Sequence, residues 1–168
     1  MKIVVVSGGF DPVHSGHIEY FKAAKLLGDK LIVAINSDQW LIDKKGKFFM
    51  PFNERSNIIS NLEVVDEVID FEDDNDGSCV LGLEKIKELH PDDEIIFCNG
   101  GDRKENNIPE MKVQNITFKF GVGGNNKMNS SSEILKDWNF ASEERVWGKF
   151  YNLFSDNSLK LKELIMNT

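Results

Sequence analysis

Three runs of apolar, largely β-branched residues constrain the fold of this chain more than any other feature: KIVVVS at 2–7, KLIVAIN at 30–36 and EIIFCN at 94–99. None alternates with polar residues, so each reads as a strand buried on both faces. Helix-patterned stretches separate them. Residues 16–27 read as a helix stopped by Gly28 in a left-handed conformation, and a second helix opens near Asn53 with Ile58, Ile59 and Leu62 on its inner face. EVVDEVIDF (63–71) holds a short strand, 78–90 a helix, NITFKFG (115–121) a fourth extended run and 131–138 a last helix. The Lys-rich stretch from Ser37 to Met50 reads as a polar loop. Doubly buried strands alternating with helices predict an α/β fold: an open parallel sheet with helices on both faces.

Such sheets bind ligands at the carboxyl ends of their strands. That directs attention to the loops 7–17, 36–50, 99–109 and 121–131. With 20 basic and 28 acidic residues the net charge is −8, which argues against broad nucleic-acid or anionic-membrane binding. A local basic pocket remains compatible with it. MKIVVVSGG is too short an apolar run for a signal peptide or a membrane span. Cys79 and Cys98 lack metal-ligand spacing and read as buried thiols, so a cytoplasmic protein is expected. The acidic run EDDNDG (72–77) lacks calcium-loop spacing and reads as a solvated turn.

VSGGFDPVHSGHIEY (5–19) carries the densest chemistry. Gly8 and Gly9 permit a sharp turn and a close backbone approach to a ligand. Ser15 is placed to cap the following helix, whose amino end favours an anion. His14 and His17 lie on its first turn, with Gly16 keeping the approach open. The pair fits a metal site, a packed helix start or a phosphate clamp. Zinc histidines on a helix stand at i and i+4 with a third ligand elsewhere, and His90 before Pro91 is a poor third, so no protein metal site is expected.

GGFDPVHSGH resembles the HxGH signature of the nucleotidyltransferase superfamily, whose members have Rossmann-like α/β folds. Residues 36–71 are similar to bacterial heptose-phosphate adenylyltransferases and, less closely, to glycerol-3-phosphate cytidylyltransferase. CNGGDR (98–103) resembles their GGD-type loop and NSSSEIL (129–135) their STT-like helix start. The resemblance covers about residues 1–138. It implies attack of a phosphorylated sugar or polyol on the α-phosphorus of ATP or CTP, with pyrophosphate released and Mg²⁺ arriving with the nucleotide. It also implies roles for particular residues. His14, His17, Lys44 or Lys45, and Arg55 would handle the transferring phosphates. Gly8, Gly9, Phe10, Asp11, Gly16, Gly101, Asp102, Ser130, Ser131 and Ser132 would bind the nucleotide, Asp11 by orienting its loop or a cation. Asn125 stands where the cytidylyltransferase pattern has an arginine, with Lys127 the nearest positive charge, so base preference stays open between ATP and CTP. The alternative is an inactive nucleotide-binding module, which pyrophosphate release would distinguish.

Residues 139–168 lie beyond that resemblance. RVWGKFYNLFSDNSLKLKELIMN is similar to the opening strands of cupin domains, through Trp147, Gly148, Phe150, Tyr151 and Leu153, with Ser155-Asp156-Asn157 as a hairpin turn. The expectation is a tail, from a longer two-domain enzyme or descended from one, that supports a homodimer. An ordinary strand or helix finishing the first domain is the other reading.

Overall fold

The computed structural model describes residues 1–100, 108–124 and 130–136. The chain divides into two compact units, Met1–Ser131 and Ser132–Thr168. In the second, residues 132–136 are described and are helical. Gly101, Asp102, Asn125, Lys127 and the tail at 139–168, with its expected cupin resemblance, lie outside the described residues.

The first unit contains β1 (Lys2–Gly8), α1 (Ser15–Lys25), β2 (Lys30–Ile35), α2 (Asp38–Lys45), α3 (Phe52–Ser60), β3 (Glu67–Asp70), α4 (Val80–Leu89), β4 (Glu94–Cys98), a 3₁₀ turn at Pro109–Lys112 and β5 (Ile116–Lys119). All strand pairs are parallel, in the order β3-β2-β1-β4-β5. This is a Rossmann-like sheet whose order reverses between β1 and β4.

The apolar runs do what their continuity requires. Ile3, Val4, Val5 and Val6 have no exposed surface. Ile3 and Val5 pack with Leu83 and Ile86 of α4. Val4 and Val6 turn the other way, onto Phe21 and Ala24 of α1 and Ile59 of α3. Fully burying one such side chain stabilises by roughly 1.5–3 kcal/mol, so a polar residue anywhere in 3–6 would cost one face of the core. Both cysteines are free and buried. Desolvation pushes the Cys98 thiol up to about 12, against a smaller opposing pull from Lys119.

Four local expectations change. Residues 37–50 are not all loop: Ser37 caps α2 by accepting the Trp40 N–H, and Gly46, at φ 82°, closes it in the left-handed region. α1 ends at Lys25 with Leu26 as a right-handed cap. Gly28 is therefore no helix stop. It is glycine because a Cβ there would lie 2.7 Å from Val4 Cγ2 and 2.8 Å from the Lys2 carbonyl oxygen. Ile58 is exposed, while Ile59 is buried on the inner face of α3 and Leu62, just past the helix, is half-buried.

Candidate active site

The turn after β1 is shaped by Phe10 more than by the two glycines. Phe10 takes a positive φ of 49°, and the Asp11–Pro12 bond is cis. A Cβ on Gly8 would meet the Phe10 ring at 3.0 Å, and one on Gly9 would meet Leu41 Cδ2 of α2 at 2.7 Å. Both glycines thus make room for neighbouring side chains. Phe10 itself is a core residue, buried edge-on against Phe21 and His17, and its ring is not displayed to a nucleotide.

His14, not Ser15, is the N-cap of α1. Its Nδ1 accepts the Gly16 N–H at 3.1 Å, and His17 Nδ1 reaches back to the His14 N–H at 3.4 Å. This is a capping box built from two imidazoles in place of a hydroxyl and a carboxylate. The rings stack with centroids 3.7 Å apart. Because each Nδ1 accepts from the backbone, each neutral ring carries its proton on Nε2. The amino end of α1 therefore holds two parallel imidazoles with the same tautomer, adjoining backbone N–H groups that favour an anion.

Asp11 is buried, and its carboxylate accepts the Phe49 and Met50 N–H groups at 2.8 and 2.7 Å. It fastens the segment between α2 and α3 to the β1 turn. Lys45, in the last turn of α2, donates to the Asp11 carbonyl at 3.1 Å. Desolvation lowers the Lys45 pKa below the usual 10.5; Asp11 opposes the shift and the Arg55 guanidinium adds to it. Lys44 sits differently, its ammonium 4.2 Å from the centroid of the Trp40 ring. Lys45 is bonded to the histidine-bearing turn.

Arg55 has no exposed side-chain surface. Its Nε donates to the Met50 carbonyl, one terminal nitrogen to the carbonyls of Gly9 and Asn36, and the other to the Asp38 carboxylate at 2.6 Å. Four of its five N–H donors are engaged within the protein. Arg55 thus forms a buried brace beneath the turn, where three loops converge with carbonyls that need donors. Sequence reading missed Asp38 as the partner, although the Ser37-Asp38 helix opening before an eight-residue stretch closed by Gly46 was the available signal.

Ser131 Oγ donates to the Pro12 carbonyl at 3.0 Å, which ties the serine run to the same turn. Ser130 is half-buried, and Ser132 is exposed in the second unit. Bonds on or to this turn thus involve Gly8, Gly9, Asp11, His14, Gly16, His17, Lys45, Arg55 and Ser131 with Pro12. His90 is not among them; it pairs with Asp93 at 3.4 Å. Among the described residues, no group of three His, Cys, Asp or Glu side chains could hold a metal ion, and no helix is long and apolar enough to cross a membrane.

Comparison with known proteins agrees with this architecture. The chain is 36% identical over 145 residues to the bifunctional protein HldE of Erwinia tasmaniensis, an alignment covering 80% of this chain and 27% of that one. It is 42% identical over 110 residues to HldE of Blochmanniella floridana, covering 64% and 21%. It therefore spans about a quarter of the length of these relatives. The lipopolysaccharide core biosynthesis protein of Thermoplasma volcanium superposes with a TM-score of 0.52 at 28% identity, over 71% of this chain and 95% of that one. A nicotinate-nucleotide adenylyltransferase fold from Vibrio parahaemolyticus superposes at 0.56 and 16% identity, over 80% and 84%, a likeness of fold alone. The cytidylyltransferase-like family model matches residues 5–145, and the chain belongs to that family.

Proposed function

We propose that this protein transfers a nucleotidyl group from ATP or CTP to the phosphate of a sugar or polyol phosphate and releases pyrophosphate. The observation that carries the reading is the stacked His14–His17 pair at the amino end of α1, with both Nδ1 atoms accepting from the backbone. A phosphate oxygen of the acceptor attacks the α-phosphorus; the new P–O bond forms as the bond to pyrophosphate breaks, and negative charge spreads over the phosphoryl oxygens. The protein's task is to hold two anions together and match that charge, with no covalent nucleophile of its own. The imidazole Nε2–H groups donate to the transferring phosphoryl group, and the Lys45 ammonium offsets its charge. Ser131 lies on the same turn, suited to the outer phosphates. Arg55 acts from beneath, by holding the Gly9 carbonyl and so the shape of the turn.

Asp11 is committed to two backbone N–H groups, so the turn offers no carboxylate cage for Mg²⁺. Mg²⁺ fits this site as an ion carried by the nucleotide's own phosphates, as is usual for it. Activity should be lost in EDTA and restored by excess Mg²⁺, read as pyrophosphate release. The decisive experiment is a panel of four nucleoside triphosphates against several sugar and polyol phosphates. One productive pair is expected. A protein that binds nucleotide but releases no pyrophosphate with any pair would be a binding module instead.

A further inference from the structure

β1 is paired to different heights on its two sides. With β2 the pairing runs to Gly8–Ile35, but with β4 it stops at Val5–Phe97. β1 and β4 thus part at the point where the strand order reverses, which is where open parallel sheets take ligands. Most polar groups on the β4 side of this gap are satisfied. The Tyr20 hydroxyl donates to the Cys98 carbonyl, the Asn99 N–H donates to the Lys119 carbonyl, and the Asn99 carbonyl accepts the Val122 N–H. The Asn99 side chain differs. It is 4% exposed, and its Nδ2 has no hydrogen-bond partner among the described residues. Native proteins satisfy nearly all such groups, and an exception calls for an explanation, a bound ligand being one.

Alternation along β4 fixes the side of the sheet. Phe97 packs in the cluster of Leu83 and Ile86, so Asn99, two residues on, shares the α4 face. The histidine turn opens α1, which packs on the other face. Asn99 therefore lies across the sheet from the phosphate-handling groups, one residue beyond the end of β4.

We infer that Asn99 is a specificity-determining residue whose side-chain N–H donates to a hydroxyl oxygen on the carbon skeleton of the phosphorylated acceptor. The inference rests on the nucleotidyl-transfer reading. His14, His17, Lys45 and Ser131 draw the phosphates toward the α1 face, and the acceptor's hydroxyl-bearing skeleton is left to extend over the α4 face. An amide that stays unpaired until a hydroxyl arrives would discriminate against acceptors lacking that hydroxyl, because they would leave the donor buried and unmet.

The test uses the full chain, with Asn99→Leu to remove the amide at similar size and Asn99→Asp to keep its shape without the donors. Wild-type pyrophosphate release is measured first and tests the parent reading by itself. Calorimetric titration with the nucleoside triphosphate and with sugar and polyol phosphates then compares the three proteins, alongside thermal melts. The expected result is acceptor affinity weakened about 10-fold, the scale of one lost hydrogen bond, in whichever variant folds. Nucleotide affinity should stay within about twofold, and the melting temperature of Asn99→Leu should be unchanged or higher. Acceptor binding equal to wild type would overturn the inference, as would a loss confined to the nucleotide, and either would leave wild-type turnover standing. A wild type that binds no phosphorylated sugar or polyol would overturn both readings.

Discussion

The His14 imidazole holds the first turn of α1 through Nδ1, and the proposed function has it donate through Nε2; the two duties separate under substitution. Asparagine is a good N-cap but cannot reach as far. His14→Asn should keep the stability of the fold while lowering kcat by roughly 100-fold, on the scale of losing one preorganised donor to developing charge. His14→Ala should lose both, with about 1 kcal/mol of stability gone as well. Denaturant unfolding beside pyrophosphate release reads the two effects; equal stability in both variants would mean that the cap contributes nothing. Arg55 lies at the opposite extreme, with no exposed surface and four donors engaged. Arg55→Leu would strip donors from three carbonyls and leave Asp38 without its cation, at a cost of about 3 kcal/mol. An unchanged unfolding midpoint would show that the brace is dispensable.

Among the elements, α2 is the one on which the site most depends, since its last turn carries Lys45 and its Leu41 sets how closely β1's turn can approach. Gly46 closes it at φ 82° in open space. Gly46→Ala should therefore cost roughly 1–2 kcal/mol through backbone strain alone, and should weaken nucleotide binding as the last turn frays. A variant that binds nucleotide normally would argue that Lys45 is not held by that turn. β1, β2 and β4 were legible in sequence because burial on both faces leaves a continuous apolar run in each. α2 was not, since a short helix rich in charge has little apolar periodicity, and only its two caps announce it. The histidine turn was legible as chemistry but its cap was misassigned. Ser15 has the expected cap chemistry, yet the imidazole one residue earlier reaches the Gly16 N–H. The bracing by Arg55 was not legible in sequence, because nothing near it in the chain reveals that three loops from distant positions close over it.

For the whole molecule, the charge arrangement predicts how stability follows pH. The Leu31 N–H and Lys25 hold Asp66 below the usual carboxylate value of 3.8, against the opposing effect of burial. Lys85 does the same for Asp70, and Ser78 for Asp74, again against burial. Groups shifted down contribute stability that is complete above 3.8 and is lost as pH falls through their folded values. Denaturant midpoints should hold down to about pH 4 and decline below it. Lys45 works in the opposite range: its lowered pKa means the unfolded chain binds the extra proton, so its contribution rises with pH across the window just below 10.5. A midpoint that rises between pH 5 and pH 3 would contradict the first assignment.

The bonds from Arg55 also have a mechanical side. One guanidinium is pinned to Gly9 in the first turn, Asn36 at the exit of β2 and Met50 ahead of α3, while the neighbouring Asp11 stitches Phe49 and Met50 to that same turn. Three segments far apart in the chain are thereby linked as a single stiff jaw, and none can shift without dragging the other two. Amide exchange across these segments should slow together, as one block, when nucleotide is added.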